Sequence, residues 1–143
     1  MELQIDQPTL RRLFAYWNGK RQGRRFPARA DIDPLELGFV LGNLTLIDVL
    51  RDPPRFRVRL QGTLAASRLG YDMTGKFVDE VPDPEYRQVL LETYRGVVEQ
   101  GRPMCAVREQ TYDRKTHRYE IVWLPLADDG ETINMLMACV ALF

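Results

Sequence analysis

The spacing of apolar and polar positions changes several times along this chain, and each change marks an element. In "TLRRLFAYW", Leu10, Leu13, Phe14 and Trp17 recur at helical spacing with Arg11 and Arg12 on the other side, which predicts a short amphipathic helix. "NGKRQGRRFPAR" then crowds Lys20, Arg21, Arg24, Arg25 and Arg29 among glycines, the pattern of a solvated basic loop. "ADIDPLELGFVLGNL" carries a helix-start signature, with Asp33 as N-cap, Pro34 at the first helical position and Glu36 at the capping-box position. "LTLIDVL" is apolar and β-branched, "RDPP" is a turn, and "RFRVRLQG" alternates strictly, so a hairpin is expected. Phe56, Val58 and Leu60 share its buried face, and Arg55, Arg57 and Arg59 share a wet, positive one. "TLAASRLG" reads as a short helix stopped by Gly70. The longest helix follows, capped by Asp83, with Pro84 first inside, Tyr86, Val89, Leu90, Thr93 and Val97 on one face, and Gly101 at its end. "RPMCAVREQTY", "HRYEIVWLPL" and "TINMLMACVALF", separated by "DRKT" and "ADDGE", close the chain as a three-stranded meander. The element order is that of an α+β fold with a mainly antiparallel sheet and helices packed on it.

Length and charge narrow this picture only a little. At 143 residues the chain suits one main domain, here residues 31–143, preceded by the amphipathic helix and basic loop of residues 1–30. Twenty basic and twenty acidic residues cancel, so no overall field favours nucleic acid or an anionic membrane. No apolar run approaches the ~20 residues that cross a bilayer, and the start lacks a signal-peptide pattern. Cys105 and Cys139 both sit in apolar strands, as buried free thiols rather than a disulfide framework. Together these features predict a cytoplasmic protein.

"GYDMTGKF" supplies the Gly70, Gly75 and Lys76 of a phosphate-binding loop. However, it follows a helix rather than a buried strand, and Phe77 stands where Ser or Thr would hold magnesium. Its glycines are turn residues. Asp31, Asp33 and Glu36 form an acidic cluster that capping explains without catalysis. Glu109, Glu120, Tyr112 and Tyr119 are the candidates for a small cavity enzyme; the alternative is that they lie on the wet sheet face or satisfy one another. His117, the only histidine, stands beside the "DRKT" turn and is expected to face solvent. No Ser or Cys has an evident base beside it, and no metal-ligand set is evident.

The run "RFRVRLQGTLAASRLGYDMTGKFVDEV" resembles the core of a PAS domain: a strand, a short helix ending in Gly-Tyr, and a Gly-Lys turn. From "RRFPARADIDPLEL" to "LPLADDGETINMLMACVAL" the chain is similar to a bacterial family of stand-alone, single-PAS proteins. The resemblance implies a five-stranded antiparallel sheet in the order 2-1-5-4-3, with helices enclosing a small cavity over one face. It implies signal transduction by binding a small molecule, a protein partner or both. Covalent flavin photochemistry would need a Cys in "TLAASRL", which has none, and His117 is poorly placed as a haem ligand, so flavin and haem are both disfavoured.

The last hairpin can be aligned in two registers one residue apart. The resemblance selects the one that turns Tyr119, Ile121 and Trp123 inward with Met135, Met137 and Cys139, opposite Phe56, Val58 and Leu60, with Tyr71 beside them. This lining suits a neutral or weakly polar molecule; the same residues could also simply fill a solid core. The expected function is therefore non-catalytic sensing, with a constitutive interaction or dimerisation module as the alternative. Leu10, Leu13, Phe14 and Trp17 would serve association, covering either the outer face of their own sheet or a second subunit in a homodimer.

Overall fold

The computed structural model describes residues 3–51, 55–112 and 114–143, the side chain of Tyr112 excepted. The "RDPP" turn beyond Arg51, Asp113 of "DRKT" and the Tyr112 side chain lie outside the described residues. Helix α1 spans Pro8–Lys20, α2 Thr63–Leu69 and α3 Pro84–Gln100. Strands β1 (Leu44–Leu50), β2 (Arg55–Gln61), β3 (Met104–Tyr112), β4 (Lys115–Leu126) and β5 (Met135–Leu142) form one sheet in the order β2-β1-β5-β4-β3, antiparallel throughout. The helices divide between its two faces. The outer face packs against α1, and the inner face lies under α2, α3 and the segment joining them.

Local chemistry sets the boundaries of α3. The Asp83 side chain accepts from the Glu85 N–H at 3.0 Å, Pro84 opens the first turn, and Gly101 closes the helix with φ 62°. Its buried side follows Tyr94 and Val97, while Val89 points to solvent. The segment after Asp33 differs from expectation: instead of an α-helix it forms short 3-10 turns at Pro34–Leu37 and Leu41–Asn43. Gly38 and Gly42 interrupt it before an α-helix can propagate. Asp33 does cap, accepting from the Leu35 N–H at 3.0 Å. Glu36 does not close a capping box; it accepts from the Tyr16 hydroxyl at 2.8 Å and lies 3.4 Å from Lys20 Nζ.

The "GYDMTGKF" glycines serve the sheet edge. Gly70 ends α2 with φ 94°. Gly75 donates to the Val58 carbonyl at 2.7 Å, and the Lys76 carbonyl accepts from the Val58 N–H at 2.8 Å, so this turn covers the edge of β2. Gly62, just before α2, is required for a different reason. A Cβ there would sit 2.3 Å from the Gly42 carbonyl oxygen, so only glycine lets α2 close onto the 41–43 turn.

The loop between α1 and β1 is a clip rather than a solvated basic loop. Arg24 Nη2 bonds Asp31 Oδ2 at 2.7 Å and the Lys20 carbonyl at 2.9 Å, while Asp31 also accepts from the Ala28 N–H at 2.8 Å. These bonds seat Phe26, 2% exposed, in the core. Arg25 reaches the Gly101 carbonyl at 3.3 Å, across the end of α3. Asp31 thus acts as a cap, and the backbone bond from Ala28, then Arg24, hold its carboxyl below the usual range.

Candidate cavity on the inner face of the sheet

Antiparallel partners share a face, so the strand register decides what lines each side. On β4, His117, Tyr119, Ile121 and Trp123 face inward, paired on β3 with Gln110, Arg108, Ala106 and Met104. On β5 their partners are Leu142, Val140 and Ala138, opposite Tyr119, Ile121 and Trp123 in turn. Above them, α2, the Met73–Val81 segment and α3 leave a cavity of about 110 Å³. Its apolar wall includes Val58, Leu69, Met73, Leu90, Ile121 and Val140, and its polar groups include Arg68, Arg108, Tyr86, Tyr94 and Tyr119.

The electrostatics of this wall are dominated by donors. Arg108 Nη2 donates to Thr93 Oγ1 at 3.1 Å, and its guanidinium lies 5.0 Å from the centroid of the Trp123 ring. Burial pushes the Tyr86 phenol up to about 12 and Tyr94 higher still. Burial also raises Tyr119, with the nearby Arg108 opposing the shift. All three phenols therefore stay protonated at neutral pH.

Of the residues expected to line the cavity, Val58, Tyr119, Ile121 and Trp123 do so. Phe56 is buried next to it, its ring centroid 5.6 Å from that of Tyr94. Tyr71 packs on the core without joining the lining. Met135, Met137 and Cys139 lie on the opposite face, because β5 pairs one residue away from the register expected. Leu60 is also turned outward and is 44% exposed. An irregularity in the β1–β2 pairing between Leu46 and Ile47 inserts one residue on β2, so Leu60 pairs with Leu46 and Gln61 takes the inner position. His117, expected in solvent, lines the cavity instead. Strand β4 begins at Lys115, and its parity carries His117 to the same face as Tyr119. Arg108, Tyr94 and Arg68 are lining residues that sequence reasoning missed. The alternation of β3 pointed to Arg108, since a hairpin closing near residues 113–114 places it beside Tyr119.

The outer face accounts for the remaining candidates. Leu10, Leu13 and Trp17 are buried against the chain's own sheet, and Trp17 Nε1 donates to the Pro125 carbonyl at 2.8 Å. These three are therefore covered within the chain and not available for association. Phe14 is half-buried, its ring 6.0 Å from that of Trp17. Glu120, 1% exposed, accepts from the backbone N–H groups of Asp6 at 2.8 Å and Gln7 at 2.7 Å, immediately before α1. It fastens the amino-terminal end of that helix to the sheet. Glu109 is exposed opposite Arg118.

The arginine row of β2 is neutralised rather than free. Arg57 and Arg59 converge on buried Asp48 at 3.0 and 3.1 Å, and Arg55 grips Asp79 with two bonds of 2.8 and 2.9 Å. Burial raises both thiols, Cys139 to about 12, and neither belongs to the cavity lining.

A space of about 110 Å³ is smaller than the roughly 150 Å³ that takes up benzene, so neither a flavin ring system nor a porphyrin fits it. Helix α2, "TLAASRL", also lacks the thiol that a flavin adduct requires.

Comparison with known proteins agrees with this architecture. The Rhodobacter sphaeroides LOV protein aligns over 97% of this chain and 69% of its own, at 14% identity and a TM-score of 0.50. The PAS domain of Bordetella pertussis BvgS aligns over 80% of this chain and 88% of its own, at 20% identity and a TM-score of 0.51. A sensory box sensor histidine kinase from Vibrio cholerae aligns over 77% and 90%, at 21% identity and a TM-score of 0.52. No curated protein matches the sequence. At these identities the structures speak for the fold alone, whereas the family model described as PAS domain matches residues 5–140, from just before α1 to within β5. With the sheet order and the helix-covered inner face already established, that match makes this chain a member of the PAS domain family.

Proposed function

We propose that this chain is a sensory PAS module that binds a small molecule in the inner-face cavity and reports it to a protein partner through α1, without catalysis. One observation carries the reading. Strands β4 and β5 present alternate residues to the two sites: Tyr119, Ile121, Trp123, Ala138 and Val140 to the cavity, and Glu120, Leu124 and Met137 to the face that supports α1. A guest that shifts the inner set moves the outer set, because adjacent residues on one rigid strand share a backbone. The coupling needed is modest, ~1–3 kcal/mol of differential affinity between two arrangements.

The catalytic alternative is weakened by where the reactive groups lie. Both oxygens of Glu120 are engaged by backbone N–H groups, and among the described residues no carboxylate or thiol lines the cavity. A filled-core interaction module is weakened by the space that remains above the sheet.

Native mass spectrometry of the full chain, purified without denaturation, tests this proposal. A bound small molecule lost on denaturation is expected. A bare polypeptide mass, together with no thermal stabilisation by a small-molecule extract of the source cells, would remove the sensor reading in favour of the interaction module.

A further inference from the structure

The charge of the inner cavity is one-sided. Two guanidinium groups, Arg68 and Arg108, line it, and among the described residues no aspartate or glutamate does. Arg68 donates to Asn43 Oδ1 at 2.5 Å and Arg108 to Thr93 Oγ1 at 3.1 Å. Among the described residues neither forms an ion pair. The other cations near carboxylates in this chain behave differently: Arg24, Arg55, Arg57 and Arg59 all have acidic partners. A partly desolvated cation without a counter-charge favours an anionic guest.

An independent observation points the same way. Trp123 lines the cavity, is 3% exposed, and its buried Nε1–H has no acceptor. The second tryptophan provides the contrast, since Trp17 Nε1 donates to the Pro125 carbonyl. Buried donors are nearly always satisfied, and the Trp123 indole N–H of this wall is not. The Arg108 guanidinium lies 5.0 Å from the Trp123 ring centroid, close enough for one small acceptor group to meet both. The protonated Tyr119 phenol stands beside Arg108.

We infer that this cavity binds a small organic monocarboxylate, its carboxylate held by Arg108 and the Trp123 indole N–H and its short apolar body against Val58, Leu90, Ile121 and Val140. The inference rests on the cavity-binding reading above and names its ligand class. Size limits the guest. At about 110 Å³, against the roughly 150 Å³ of a benzene-binding cavity, it admits about four or five heavy atoms. Inorganic phosphate meets the size limit, but it would turn oxygens toward the apolar wall, where nothing donates to them.

The test uses the full chain labelled with 15N at its two tryptophan indoles. Acetate, propionate, propionamide and inorganic phosphate are titrated separately at constant ionic strength. Propionate is expected to shift the Trp123 indole resonance saturably, leave Trp17 in place, and bind at least about tenfold more tightly than its neutral isostere propionamide, the usual weight of a charge-assisted contact. Arg108→Gln should erase that preference, and Arg108→Lys should restore part of it. If Arg108→Gln does not fold, the propionate-to-propionamide ratio in the unaltered protein decides alone. Equal binding of propionate and propionamide overturns the carboxylate assignment while leaving the cavity-binding reading intact. Phosphate binding without propionate binding also overturns it. If no solute moves the Trp123 resonance the assignment falls, and native mass spectrometry then shows separately whether the cavity-binding reading falls with it.

Discussion

Glu120→Gln is the substitution that most sharply probes how α1 is held. The carboxylate is 1% exposed, and its two oxygens accept from the Asp6 and Gln7 N–H groups at 2.8 and 2.7 Å. Glutamine has nearly the same shape but keeps one acceptor and turns an NH2 group toward the other N–H. It also removes a negative charge from the positive end of the α1 dipole. A hydrogen bond to a charged group contributes about 1.5–3 kcal/mol, and the dipole contact about 0.3–1 kcal/mol. Water reaching the freed N–H, which is only part-buried, offsets part of this, leaving a loss of about 2 kcal/mol. For a domain of this size that corresponds to a fall of about 8 °C in Tm. Urea unfolding followed by circular dichroism measures the loss, and hydrogen exchange measures where it falls, with α1 expected to lose protection before α3 does. A loss under about 0.5 kcal/mol, or equal loosening of α1 and α3, would refute the claim that Glu120 fastens α1 to the sheet.

Five further outcomes follow from the same geometry. Gly62→Ala should destabilise by about 1–3 kcal/mol or more in chemical denaturation, because its Cβ would meet the Gly42 carbonyl oxygen at 2.3 Å; an unchanged midpoint would show that α2 can lift without cost. Asp48→Asn should cost about 1–2 kcal/mol in the same assay, an amount held down by the half-exposed guanidinium groups of Arg57 and Arg59. The carboxyl of Asp31 is depressed in the folded protein below its ordinary value of 3.8. Its contribution to stability is therefore present above about pH 4 and lost as pH falls through the folded value, so a Tm series from pH 6 downward should fall less steeply over that interval in Asp31→Asn than in the unaltered chain. Ala138→Leu, on the inner face opposite Trp123, should fill the cavity and abolish small-molecule binding with the fold retained. Met137→Trp, by contrast, should overpack the α1 face by about 1–3 kcal/mol and leave the cavity open.

The order of strands along the chain and the caps of α3 were legible because they depend on local signals: Asp83 before Pro84, Gly70 and Gly101 after helical runs, and alternation in β2; the order of strands across the sheet came from the resemblance to a PAS domain. What the sequence hid depends on pairing. In the hairpin joining β4 to β5 both faces of the strands are apolar, so alternation could not choose between Met137 and Ala138 for the inner position. The choice made by resemblance put Met135, Met137 and Cys139 on the wrong side. The irregularity that turns Leu60 outward leaves no mark in "RFRVRLQ", whose alternation is unbroken through Leu60. Pairing also explains the charges. Asp48, a lone acid in "LTLIDVL", gathers Arg57 and Arg59 only when β1 lies beside β2, and Arg24 meets Asp31 only when the chain folds back at Phe26. The amphipathic stripe of α1 was plain, but what it packs against was not, since the outer face of its own sheet and a second subunit both satisfy the same periodicity.

The central claim is that occupancy of the inner cavity is felt by α1 across the sheet. Amide hydrogen exchange of residues 8–20 tests it most directly, measured on the full chain with the cavity empty and then filled with sodium propionate, or with xenon under pressure should propionate not enter. The predicted result is a change in protection within α1, strongest near Trp17, whose indole bonds the Pro125 carbonyl of β4, together with slower exchange in α2. A filled cavity, registered by the Trp123 indole resonance, with exchange in α1 unchanged would contradict it.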